Sequence, residues 1–157
     1  MTIKLLTIGK TDNPNLETLM NDYKSRLNHY IKFELEIIPD LKKVKHLSED
    51  QQKQKEGDLI LSKLKPTDAL VLLDENGKQF DSIGFSTYLQ KHMNSGIKQL
   101  VLVIGGPYGF SKDVYQKAQG KISLSKMTFS HQMVRLFVIE QLYRGFTILK
   151  NEPYHHR

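Results

Sequence analysis

Cysteine is absent from this chain, which removes disulfides, thiolate metal sites and cysteine nucleophiles together. No stretch approaches the ~20 apolar residues of a membrane span. The opening MTIKLLTIGK runs straight into strand-like alternation, unlike a signal peptide. These absences fit a soluble protein of the reducing cytoplasm, with no membrane partner. The phosphate-loop pattern GxxxxGK[ST], the dinucleotide fingerprint GxGxxG, HExxH and GxSxG are all missing. In Gly105-Gly106-Pro107-Tyr108-Gly109, Pro107 lacks the backbone donor that a pyrophosphate would need. No carboxylate-dense metal pattern occurs, and the spacing of His131, His155 and His156 asks for no metal. Linkers, low-complexity segments and internal repeats are also lacking. The 157 residues therefore read as one domain, 1–157.

What is present is basic. The formal net charge is +6, which favours a polyanionic partner. Much of the excess is local, in Lys42, Lys43, Lys45, Lys53 and Lys55. Two readings of that run stand side by side: a solvated helix with its approach loop, or an edge that faces phosphates.

Strand-like and helix-like segments alternate along the chain. Ile3–Ile8 reads as a strand ended by Gly9, and Asn13-Pro14 as a cap with proline at the first helical position. Leu16, Leu19, Met20, Tyr23 and Leu27 then form one apolar helical face. Phe33–Ile38 alternates as a strand, and Ser48 with Gln51 makes a capping box. Ala69–Leu73 is a strand entering a turn at Asp74–Gly77, and Phe85–Met93 a helix stopped near Gly96. Gln99–Ile104 and Lys121–Leu124 read as strands, Lys112–Ala118 as a short helix, and His131–Leu149 as the last helix. The alternation predicts an α/β fold, a mainly parallel sheet with helices on both faces. The last helix is apolar nearly all round, through Val134, Phe137, Val138, Ile139, Leu142, Tyr143, Phe146, Ile148 and Leu149. Such a helix needs cover on more than one side, and a second subunit is the expected second cover.

Two strand ends carry the chemistry. LVLVIGGPYG (residues 100–109) breaks from an apolar strand into a glycine-rich turn, and ISLSKMTFSHQ (residues 122–132) runs from a strand through a polar loop to a helix start. Strand ends of this kind present backbone donors and acceptors to a ligand. A ligand without phosphate suits them, and S-adenosylmethionine is one: glycine turns admit adenine and ribose closely, while Leu73, Leu124 and Met127 can flank the flat base. On this reading a Cβ at Gly105 would fill the ligand's space. Each glycine taken alone also reads as a tight turn leaving a strand. A Rossmann-type nucleotide enzyme is the rival, disfavoured by the missing fingerprint and by Pro107.

The combination of Leu73-Asp74-x-x-Gly77-Lys78, Ile104-Gly105-Gly106-x-x-Gly109, Ser125-Lys126-Met127-Thr128-Phe129-x-His131-Gln132, Glu140-Gln141-x-Tyr143-Arg144 and Pro153-Tyr154-His155 resembles the RlmH family. These are small bacterial methyltransferases of the SPOUT superfamily, which methylate N3 of a pseudouridine in 23S rRNA. The resemblance spans the whole chain. It implies a SPOUT-type fold with a C-terminal trefoil knot, a homodimer, S-adenosylmethionine as methyl donor without a metal, and the assembled 70S ribosome as substrate. It carries over Leu73, Gly105, Gly106, Leu124, Ser125, Lys126, Met127, Thr128 and Phe129 as cofactor contacts. Two positions depart from the family's pattern. Ser130 replaces a proline and can cap the following helix, and His156 stands between His155 and the terminal Arg157.

The implied reaction displaces a sulfonium methyl and removes the imide proton of N3, so alignment and a base are the main needs. His131 and His155 are both candidates for the base, because histidine titrates near neutrality. His131 also reads as a residue of the first helical turn, and His155 as a hydrogen-bonding contact to RNA. Arg144 reads as a contact to the base or to phosphate, or as a helical ion pair with Glu140. Tyr154 reads as a stacking platform or as packing for the tail, and Arg157 as a phosphate contact. The alternative function is a non-catalytic ribosome-binding protein that retains the cofactor pocket.

Overall fold

Strand runs such as Leu100–Ile104 are apolar at successive positions, as strands covered on both faces must be. In the computed structural model, which describes residues 1–156, they form one five-stranded sheet. Arg157 lies outside the described residues. The strands are β1 (Thr2–Ile8), β2 (Phe33–Ile38), β3 (Asp68–Gln79), β4 (Gln99–Ile104) and β5 (Gly120–Ser123). Their order is β2-β1-β4-β3-β5, and every pairing is parallel.

Alternate side chains of each strand point to opposite faces, giving two cores. Ile3, Leu5, Val71, Leu100 and Leu102 pack with α1 (Pro14–Leu27), α3 (Ser82–Asn94) and α5 (Met133–Leu149). Leu6, Leu70, Leu72, Val101 and Val103 pack with α2 (Glu49–Ser62) and α4 (Lys112–Lys117). Helices on both faces are thus borne out. Asn13 caps α1 through Asn15 N, at 2.8 Å, and both halves of the Ser48–Gln51 capping box open α2.

Four sequence expectations need correction. Asp74–Gly77 does not end the third strand. It bulges out of it, because both Leu73 and Lys78 pair with Ile122 of β5. Asp74 Oδ1 accepts from Asn76 N at 2.8 Å, and a Cβ at Gly77 would lie 2.5 Å from the Ile122 carbonyl carbon, so only glycine fits there. The last helix begins at Met133, not His131. Ser130 Oγ accepts from Met133 N at 3.0 Å and caps the turn that precedes the helix. Leu19 is 49% exposed, outside the apolar face assigned to α1. Most of the second cover for α5 is intramolecular, since Val138, Ile139, Leu142 and Phe146 are buried in a core shared with α1 and α3. Phe137, at 37% exposed, and Met133 are the uncovered large apolar residues of α5.

Candidate functional site

In a parallel sheet all strands end on one edge, and ligands bind outside those carboxyl ends. Here a cavity of about 440 Å³ opens where β3, β4 and β5 end. Leu73, Gly105, Gly106, Leu124, Ser125, Met127, Thr128 and Phe129 all line it, and His131 stands on its wall with Val134 of α5. Of the expected cofactor set, Lys126 alone is not in the lining. Among the described residues no lysine or arginine lines the cavity, whereas Asp74 and Glu75 do, although the whole chain carries +6. Such a wall suits a cationic sulfonium and repels a phosphate.

Two loops shape this cavity. Gly109 N donates to Gly106 O at 3.1 Å, and Gly109 has φ +82°, which favours glycine. A Cβ at Gly105 would meet the ring of Phe110 at 3.0 Å, so Phe110 crowds this position of the cavity wall. In the second loop, Ser123 Oγ donates to Ser125 O at 2.8 Å, and Ser125 Oγ accepts from Met127 N at 3.0 Å. Met127 is left 76% exposed at the mouth. Tyr115 donates to Asp74 Oδ2. Burial, followed by the Asp74 carboxylate, pushes the Tyr115 phenol up to about 12, so it remains a donor.

Beneath the cavity lie two buried charged residues that sequence reasoning missed. Arg135, 1% exposed, donates to Ile8 O at 2.9 Å, His131 O at 3.1 Å and Thr11 Oγ1 at 3.3 Å. It ties the turn bearing His131 to the end of β1. Its one visible signal is a lone cation within the apolar run MVRLFV. Gln132 adds to the tie by accepting from Asp12 N at 3.0 Å and donating to Lys10 O at 3.2 Å. Glu56 of α2, 3% exposed, lies against the glycine turn: a Cβ at Gly106 would fall 2.1 Å from its Oε2. Its Oε1 has no hydrogen-bond partner among the described residues. Burial raises its pKa, and the nearby charge of Asp40 adds to the rise.

The remaining expected residues gather elsewhere. Arg144 Nη2 pairs with Glu140 Oε1 at 2.6 Å, and Tyr154 donates to the same oxygen at 2.9 Å. The Tyr154 hydroxyl also lies 3.3 Å from that of Tyr23, and the Arg144 guanidinium sits 4.7 Å from the Tyr154 ring centroid. Burial, Tyr23 and Glu140 all raise the pKa of Tyr154. Arg144 Nη1 is 3.3 Å from His155 Nδ1. Because arginine only donates, Nδ1 accepts, which puts the proton of neutral His155 on Nε2. That atom is buried without a partner among the described residues. Arg144 follows Met133 by about 16 Å along α5, and neither it nor residues 153–156 line the cavity. Within one chain, then, His131 joins the cofactor set, while Arg144, Tyr154 and His155 form a second cluster.

The family model described as "Predicted SPOUT methyltransferase" matches residues 1–155. The chain belongs to the SPOUT methyltransferase family. It is 74% identical to the ribosomal RNA large subunit methyltransferase H of Flavobacterium johnsoniae over 157 residues, covering all of both chains. The proteins of the same name from Flavobacterium psychrophilum and Christiangramia forsetii are 75% and 71% identical, again over the full length of both chains. The resemblance read from the motifs is therefore borne out. Among the described residues of this SPOUT methyltransferase, no group of three or more His, Asp or Glu is placed to hold a metal, and no helix is long and apolar enough to cross a membrane.

Proposed function

We propose that this SPOUT methyltransferase transfers the methyl group of S-adenosylmethionine to N3 of a pseudouridine in 23S rRNA, acting on the assembled ribosome in the cytoplasm. The observation that carries the reading is the cation-free cavity bordered by the glycine turn and the Ser123–Phe129 loop, in a chain whose full-length relatives bear the name of rRNA methyltransferases. Those names favour the enzyme over the non-catalytic alternative. The backbone of Gly105–Gly109 and of Leu124–Phe129 would hold the cofactor, with Leu73 and Leu124 against its flat base. The bound cofactor supplies an electrophilic methyl on a sulfonium.

The protein's task is to align N3 with that methyl and to accept the N3 proton as the new N–C bond forms and the S–C bond breaks. His131, on the cavity wall, is the proposed base. His155, with Arg144 donating to Nδ1 and its own proton on Nε2, is suited to donate to RNA rather than to take a proton. Arg144 and Tyr154 would hold the base and its backbone.

His131 and Arg144 stand about three turns apart along α5, so one active site uses both sets if the second comes from a partner. A homodimer joined through the uncovered side chains of Leu19, Met133 and Phe137 supplies it. The C-terminal half is proposed to be threaded as the family's trefoil knot. The test supplies purified protein with methyl-labelled S-adenosylmethionine and ribosomes lacking the modification. Label at a single pseudouridine of 23S rRNA is the expected result, and bound cofactor without labelled RNA would contradict the reading.

A further inference from the structure

The positive charge that the cavity lacks is concentrated on the same edge of the sheet. Lys42, Lys43 and Lys45 occupy the segment that follows β2, around a short 3₁₀ turn at Val44–His46, and all three are exposed. None of the three is in an ion pair among the described residues. Asp40, the acid of this segment, is itself exposed and lies beside the β1 end, where a Cβ at Gly9 would fall 2.7 Å from its Oδ2. The acids that follow are otherwise engaged, since Glu49 and Asp50 fill the first turn of α2 and Asp50 pairs with Lys53 at 3.4 Å.

Lys43 has φ +59°, a left-handed conformation that costs a non-glycine residue about 1 kcal/mol. The only other non-glycine residue with positive φ among those described is Asn151, of a type that tolerates it. A long cation held in that conformation on an exposed loop has no packing reason.

The path from this loop to the cavity is short. Parallel strands end together, and neighbours are about 4.8 Å apart, so the loop after β2 lies roughly 10 Å from the Gly105 turn after β4. Between them lies the loop after β1, with Lys10 exposed on it. That loop is fixed to the cavity rim by the hydrogen bonds of Gln132 to Lys10 O and Asp12 N.

We propose that Lys42, Lys43 and Lys45, continued by Lys10, form a phosphate track that seats the rRNA backbone flanking the target nucleotide. The proposal rests on the reading of the chain as an rRNA methyltransferase and adds the surface by which RNA is held. Lysine contacts to phosphate release counterions and so make binding depend on salt. They position the RNA without reading its sequence. Unpaired lysines on a preset loop fit that role better than they fit a solvated helix face.

The test compares two triple variants of equal charge change. One is Lys42→Gln, Lys43→Gln, Lys45→Gln. The control is Lys32→Gln, Lys65→Gln, Lys98→Gln, whose residues precede β2, β3 and β4 and lie on the opposite edge. The loop variant should keep cofactor affinity by calorimetry and kcat within about twofold, while KM for ribosomes rises roughly ten- to a hundredfold and the salt slope of binding falls by about two to three. The control should match the wild type in each. An unchanged KM and slope in the loop variant, or an equal loss in the control, overturns the track. Cosedimentation with ribosomes over a salt series judges the track apart from turnover. Wild-type protein that binds ribosomes but leaves them unlabelled would refute the proposed function instead.

Discussion

At its first turn α5 meets a cavity with no lysine or arginine among the described residues of its wall, whereas about three turns later the same helix carries Arg144 into a cluster with Glu140, Tyr154 and His155. The first end is built from backbone and small side chains, shaped by glycine turns and anchored below by Arg135. The second is built from charged and aromatic side chains that close on one another. The difference separates two demands of methyl transfer. A sulfonium needs a close cradle without cations, while a nucleobase and its backbone need donors, a stacking face and positive charge. One rigid helix keeps the two apart within a chain, and the proposed homodimer would bring them to one reaction.

The sharpest break of this comparison is removal of residues 153–157. Cofactor binding and folding should survive, and methylation of ribosomes should fall by a thousandfold or more, because positioning of the base is lost. Loss of cofactor affinity in the truncated protein would mean that the two ends are not separable. Next in size is Arg135→Met. It leaves Ile8 O and His131 O without their buried donor, and it should cost about 3 kcal/mol in denaturant unfolding. A change below about 0.5 kcal/mol would show that the His131 turn needs no such anchor.

Smaller effects sharpen the picture. Glu140→Gln removes the negative charge from the acceptor shared by Arg144 and Tyr154. It should lower kcat/KM for ribosomes about tenfold, with cofactor affinity unchanged, as a partly exposed ion pair allows. An unaltered rate would detach this pair from the reaction. Last is Glu56→Gln. The folded-state pKa of Glu56 is raised, so its stabilising contribution is present below the unfolded carboxyl pKa and is lost as pH rises through the folded value. The stability of Glu56→Gln relative to wild type should therefore increase from pH 4 to pH 8. Parallel stability curves would show that the buried carboxyl does not titrate in this range.

Much of this was legible in the chain because the signals were local. Phe33–Ile38 alternates, Ser48 and Gln51 are three apart, and Asn13 precedes a proline, and each became the element that its spacing implied. The glycine turn and the loop after β5 were legible as strand ends, and their meeting in one cavity followed from the parallel sheet. What stayed hidden depends on distant partners. The bulge at Asp74–Gly77 exists because β5 pairs on both sides of it. Glu56 lies in a polar helix that gives no hint of Gly106 above it. The i, i+4 spacing announced the Glu140–Arg144 pair, yet nothing local announced that Tyr154 would return to it across from Tyr23. Leu142, one of the residues that ring α5, lies in the core, because apolar residues all round a helix do not say which neighbour covers them.

The central claim, that each active site draws its cavity from one chain and its tail cluster from another, is tested most directly by mixing two inactive variants. One is His131→Ala, and the other lacks residues 153–157. Unfolded and refolded together, they form mixed dimers in which one of the two sites has an intact cavity and an intact tail. The account predicts that ribosome methylation returns to about a quarter of the wild-type level, since half of the dimers are mixed and each has one good site. If each site is built from a single chain, the mixture stays as inactive as its parts, and that result would contradict the account.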